Sequence, residues 1–377
     1  MIIKNGTILS MAGIEEERKD ILIKNGTIFS IKDHINPANE EDVIDAEGRI
    51  VMPGFVEPHT TMGVNNQVFR FDKMDANEES DPLMPQLRAI DAIDVEDEGF
   101  AMARRGGITS VVTGPGMSDL IGGTFCAFKT GGSSFSERII REEVCYHFVL
   151  SSEPRKKYGS KKKSPETRMG SVALIREMLY KAQIYDKRIR AGEKLPYDIK
   201  SASLSRVFHG LLVKFSACQE NDIRAAIRIG KEFNLKYTID FGYDAMKLQE
   251  ELKKEQIPVI IGPLLGKGYQ AETQGKDLSM AKQLDKSGLN YCLMTGHPLV
   301  NGELTGAYLA LLHKYGMSRR EVLEGLTIRA AKLSGINDRV GSLEVNKDAD
   351  IVIWNGDPLD YYASVHTMII NGRRVPI

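Results

Sequence analysis

The segment 53–63, PGFVEPHTTMG, carries a histidine at position 59 and a threonine two residues later. A His-x-His pair leaving an apolar strand would open a metal site, but here the run is His59, Thr60, Thr61. A zinc-class ion needs three or four N, O or S ligands at about 2 Å before it can lower the pKa of its water toward about 7. A threonine hydroxyl is a poor ligand for such an ion. His59 therefore reads as a remnant ligand, a general base, or a polar residue at the mouth of a site. Whether the segment opens a metal site, a site that works without a metal, or no working site stays open at this point.

Other reactive side chains stand far along the chain. Cys218, in KFSACQEND, could act as a nucleophile only beside a base that lowers its pKa. The bland reading, a buried inert thiol at a strand end, is favoured. His297 precedes Pro298 and reads as a residue that shapes a turn, with acid–base work as the alternative. Asp240 and Asp244 flank Phe241 in TIDFGYD and are expected to be solvated loop acids rather than a working carboxylate pair.

Strands must bring these residues together. GITSVVTGPG, CYHFVLSS, GLLVKFSAC, KYTIDFG, IPVIIGPLL and NYCLMTGHP are short apolar runs that read as buried parallel strands. With IVMPGFVEPH they make about seven, near the eight of a (β/α)8 barrel. Amphipathic helices such as DIRAAIRIGKEFN and GAYLALLHKYG separate several of them. A doubly wound sheet is the alternative, although no G-x-G-x-x-G follows the first strand. Ser164 followed by Pro165 is expected to cap the helix that begins near ETRMGSVALIREMLYKAQ. TGPGMSDLIGGT reads as a compact glycine-rich loop or as a ligand-wrapping one. Both ends of the chain are β-rich and carry Asn-Gly turn signals, at Asn5-Gly6 and Asn25-Gly26 among others. The expected division is a composite domain of 1–50 plus 340–377 around a middle domain of 51–339.

Fifty Lys and Arg against 51 Asp and Glu leave a net charge of -1, which gives no overall attraction to nucleic acid or a membrane surface. The run 155–168, RKKYGSKKKSPETR, holds seven basic residues but little aromatic interleaving, so it reads as a solvated loop. Four cysteines far apart suggest reduced thiols, and the start of the chain has no secretory signal pattern; a cytoplasmic location is expected.

IDAEGRIVMPGFVEPHT near the start and TIRAAKLSGINDRVGSLEVNKDADIVIWNGDPLD near the end resemble the amidohydrolase superfamily, nearest to the imidazolonepropionase-related metal-dependent amidohydrolases. DPLMPQLRAIDAID (81–94) and GPGMSDLIGGT (114–124) extend the resemblance. It implies an α/β fold: a distorted (β/α)8 TIM-like barrel with a small β-sandwich domain formed by both chain ends. The activity it implies is hydrolysis of C–N bonds in cyclic amides, ureas or related molecules by a metal-bound hydroxide. It also implies ligands in fixed places: His-x-His from the first strand, histidines from the fifth and sixth, and a proton-handling aspartate from the last. Those places hold His59 and Thr61, Ser216 and Cys218, Phe241, and Gly296. Only His59 matches, so no cofactor is expected where intact relatives hold zinc. The expectation is a metal-free, weakly active or inactive homologue that keeps a small-molecule pocket. Thr61, Arg70, Asp81, Arg88, Phe241 and Gly296 would line it, with Asp72 nearby. Two alternatives remain: an active enzyme with a rearranged site of His59, Cys218 and His297, or a structural or regulatory subunit in a homo-oligomer or beside an intact homologous chain.

Overall fold

The computed structural model describes residues 1–13, 15–37, 42–66, 75–266 and 271–377. The chain opens with β1 (Ile2–Leu9), β2 (Glu15–Lys24), β3 (Thr27–Lys32), β4 (Val43–Asp45) and β5 (Ile50–Pro53). Asn25 and Gly26 join β2 to β3 with φ of 51° and 80°, the two positive values that a type I′ hairpin requires. Asn5-Gly6 behaves differently from the expected turn. It lies inside β1, where the pairing with β2 shifts register between Ile3 and Gly6, so it forms a bulge. The Asn5 N–H leaves the ladder and donates to Asp20 Oδ1 at 2.9 Å.

Eight further strands follow in order: β6 (Phe55–Thr60), β7 (Ile108–Thr113), β8 (Ile121–Lys129), β9 (Ile139–Val149), β10 (Leu212–Ala217), β11 (Tyr237–Phe241), β12 (Val259–Ile261) and β13 (Tyr291–Leu293). They lie side by side in sequence order, without the order reversal of a doubly wound sheet, and make a nearly closed α/β barrel. Every residue of β6, β7, β8 and β10 is buried, which is why these runs are apolar without alternation. The strand missing from the sequence reading is β8, in IGGTFCAFK, the tail of the supposed glycine-rich loop. It runs antiparallel to both β7 and β9, so no crossover helix announces it. At Gly123 a Cβ would stand 2.4 Å from the Leu87 carbonyl oxygen, and φ is +107°; glycine is needed for the 81–92 segment to lie against β8.

The chain ends in β14 (Ile351–Trp354), β15 (Val365–Ile370) and β16 (Arg373–Val375). These join the first five strands in one sheet of order β16-β15-β14-β5-β1-β2-β3, with β4 beside β1. The two ends of the chain therefore share one sheet, separate from the barrel. The long helix Arg168–Arg190 starts later than expected. Its cap is Thr167, whose Oγ accepts from Gly170 N at 3.0 Å, and Ser164-Pro165 precedes the helix.

Candidate functional site

Side chains alternate along a strand, so residues two apart share a face. On β6 that face carries Glu57 and His59, on β10 Lys214 and Ser216, and on β11 Thr238 and Asp240. All six are buried. Asp240 Oδ2 lies 2.6 Å from His59 Nδ1 and 3.0 Å from Lys214 Nζ, while Asp240 Oδ1 accepts from Thr238 Oγ1 at 2.6 Å. The Lys214 ammonium also donates to the Pro58 carbonyl at 2.9 Å, crossing from β10 to β6. Asp240 is thus the centre of a buried network. It is not the solvated loop acid expected from its neighbours in sequence. Asp244 is a separate residue in role, accepting from Glu220 N at 3.1 Å and pairing with Lys247.

Burial alone would raise the Asp240 carboxyl, but the Lys214 ammonium and the His59 hydrogen bond hold it well below the usual carboxylate range. Burial lowers the Lys214 pKa, and Asp240 reverses that, leaving it above an ordinary lysine. Burial also pushes the His59 pKa down, more than Asp240 pulls it up. Beside it, burial pushes the Glu57 carboxyl up to about 7, although Thr295, His59 and Gly296 all donate to it. The Thr295 N–H bond to Glu57 Oε2 is 2.8 Å and ties the end of β13 back to β6.

Aromatic rings enclose His59. Its centroid lies 4.9 Å from Phe125, 5.1 Å from Phe241 and 5.2 Å from His147. His147 Nε2 meets Ser216 Oγ at 2.7 Å, and burial drops its pKa to about 3. Of the expected site residues, the fold brings Phe241 directly against His59 and sets Gly296, with φ of +60°, beside Glu57. Thr61 follows at the strand end, where its carbonyl accepts from Val64 and Asn65.

The others stand apart. Cys218 is buried beyond the end of β10, and its thiol is pushed up by burial, with Glu272, Asp222, Asp244 and Glu153 adding to it. No base is bonded to it, which works against a nucleophilic thiolate. His297 Nδ1 accepts from Gly302 N at 3.0 Å, so the proton sits on Nε2, and burial holds the pKa at about 4. Its contact fixes the turn after Pro298. Asp81 pairs with Lys200 at 2.7 Å and Arg88 with Glu142 at 2.7 Å, both away from His59. Arg88 does line a cavity of about 450 Å3 with Asp75, Gln86, Pro115 and Gly122. Arg70 and Asp72 lie outside the described residues. The basic run is partly neutralised, with Lys156 on Glu153, Lys157 on Glu79 and Arg168 on Asp222.

Sequence reading missed Glu57, His147 and Lys214. Period-two alternation from His59 would have found Glu57, and a lysine inside LLVKFSAC was itself a signal, since a charge in an apolar strand needs a partner. Among the described residues, no group of three or more His, Cys, Asp or Glu side chains is arranged to hold a metal ion.

A nearly closed α/β barrel with a polar lumen, attached to a sheet built from both chain ends, places the molecule among the TIM-like barrels. The chain belongs to the amidohydrolase family. A crystal structure of an amidohydrolase from Thermotoga maritima MSB8 is 30% identical, covers 99% of each chain and superposes with a TM-score of 0.95. The Amidohydrolase family pattern itself matches residues 266–375. Amidohydrolase tasK of Hapsidospora irregularis is 26% identical over 386 residues, spanning 94% of this chain but 39% of that longer protein. The 5-methylcytosine deaminase of Klebsiella pneumoniae shares the fold, with a TM-score of 0.60 at 17% identity over 100% and 97% of the two chains. No helix is long and apolar enough to cross a membrane among the described residues.

Proposed function

We propose that this chain is an amidohydrolase homologue whose metal centre has degenerated, leaving a small-molecule pocket and little or no hydrolase activity. The observation that carries this reading is the Lys214 ammonium, buried in the lumen on Asp240 beside the one matching ligand, His59. Around it the places that relatives give to ligands hold Thr61, Ser216, Phe241 and Gly296. This donor set does not suit a zinc-class ion. With His59 Nδ1 on Asp240, the ring offers Nε2 as a single donor; both Asp240 oxygens already accept, and the nearest rings are phenyls and a second imidazole that is bonded to Ser216. A divalent ion a few ångströms from a buried ammonium would also meet strong repulsion. No catalytic step is therefore routed through a metal.

The pocket would accept a small neutral or weakly polar molecule of the cyclic amide or urea kind, as ancestry suggests. A composite division into 1–50 plus 340–377 and 51–339 is part of this reading, although β5 (Ile50–Pro53) runs past its first boundary, and so is a cytoplasmic, homo-oligomeric state. Exposed Met169, Tyr180 and Ile184 along the helix Arg168–Arg190 favour association with a second copy. The test is metal analysis of protein prepared without chelator. Sub-stoichiometric zinc, manganese and iron are expected. About one equivalent per chain, lost on His59→Gln, would sink the proposal. Light scattering checks the oligomer separately, and a monomer would remove that part alone.

A further inference from the structure

Lys214 is an odd residue to find at this place. It sits in the all-buried strand β10, it is 0% exposed, and its ammonium reaches across the lumen to the carbonyl next to His59. Among the described residues its one carboxylate partner is Asp240, through the same oxygen that meets His59 Nδ1. The other Asp240 oxygen is filled by Thr238. An ionised carboxylate only accepts hydrogen bonds, so the proton between Asp240 and His59 belongs to Nδ1. That leaves the neutral ring with its lone pair on Nε2, among Phe125, Phe241 and His147.

We infer that Lys214 is the fixed cation of the barrel: a positioning residue that anchors the Asp240 carboxylate against His59, locks the ring in the Nδ1–H tautomer, and bars a divalent ion from the same space. The inference rests on the metal-free reading above and gives it a cause. A covalently tethered ammonium cannot dissociate, donates hydrogen bonds but accepts none, and offers no site for a bound water to be ionised. Glu57, the remaining lumen acid, is engaged by Thr295 and His59 backbone donors rather than by Lys214.

The experiment compares the full-length protein with Lys214→Met, an uncharged side chain of similar length. Nitrogen-15 NMR of histidine-labelled protein, assigned with His59→Gln, reads the tautomer, and zinc titration by calorimetry reads metal affinity. Wild type is expected to show neutral His59 protonated on Nδ1 and no saturable zinc binding. Lys214→Met is expected to show a mixed tautomer and zinc affinity higher by at least about tenfold. If the variant keeps the wild-type tautomer and gains no affinity while wild type stays metal-free, the role given to Lys214 is wrong and the metal-free reading survives. If wild type itself binds zinc through His59, both fall. Should Lys214→Met fail to fold, Lys214→Met/Asp240→Asn removes both charges, and its thermal midpoint is expected to lie closer to wild type than that of Asp240→Asn alone. A double variant no better than the single one overturns the inference.

Discussion

Among the described residues, two lysines on barrel strands are fully buried, Lys129 and Lys214, and they do different work. Lys129 closes β8 and meets two carboxylates, Asp348 at 2.7 Å and Asp350. Asp348 is also held by Arg339 at 2.7 Å, and Asp350 by the Asn371 N–H at 2.9 Å. Every acid in that cluster has a second partner, and the cluster ties the barrel to the strands of the chain end. Lys214 has one carboxylate, and that carboxylate is shared with an imidazole. The first arrangement over-determines a joint between two sheets. The second spends its only acid on orienting a side chain that could meet a ligand. The same ammonium chemistry is structural where partners are in surplus, and functional in character where one acid serves two masters.

The contrast can be broken by mutation. Lys129→Met takes the ammonium from two buried acids at once, leaving Asp348 on Arg339 and Asp350 on the Asn371 N–H, and is expected to cost about 3–5 kcal/mol in denaturant unfolding, without changing the His59 tautomer. Lys214→Met leaves only Asp240, which can take up a proton, so a smaller loss of about 2–4 kcal/mol is expected, accompanied by the change at His59. Equal losses with no spectroscopic difference would erase the distinction.

Glu57 sharpens the comparison through pH. Its carboxyl rises from 4.5 to about 7 on folding, so between those values the folded chain keeps a proton that the unfolded chain has lost. The stability it contributes is complete below about 4.5 and disappears as pH climbs to about 7, by an amount of roughly 3 kcal/mol. Glu57→Gln should flatten this part of the stability–pH curve, measured by thermal midpoints. An unchanged slope would mean that Glu57 is ionised throughout. The smallest effect is expected far from the lumen: Thr167→Ala removes the cap of the helix Arg168–Arg190 and should cost about 1 kcal/mol, with neither histidine environment altered.

Much of the architecture was legible because strands buried on both faces write themselves as short apolar runs, and seven such runs could be found. β8 escaped because its glycines and its antiparallel course look like a loop. Asn25-Gly26 declared its hairpin, but the identical dipeptide at Asn5 hid a bulge, since local sequence does not reveal which hydrogen bonds the neighbouring strands supply. The site was legible in part. His59, Phe241 and Gly296 were marked by motif and fall around one lumen. Lys214 and Asp240 were invisible as a pair because they are 26 residues apart and meet only when β10 and β11 align. Cys218 and His297 carried reactive names, but the fold surrounds one with acids and uses the other to fix a turn.

The most direct measurement is anomalous scattering at the zinc edge from crystals grown with added zinc. The account expects no peak within bonding distance of His59, and Lys214 Nζ within hydrogen-bond distance of Asp240. A peak about 2.1 Å from either His59 nitrogen, with the lysine displaced from Asp240, would contradict it.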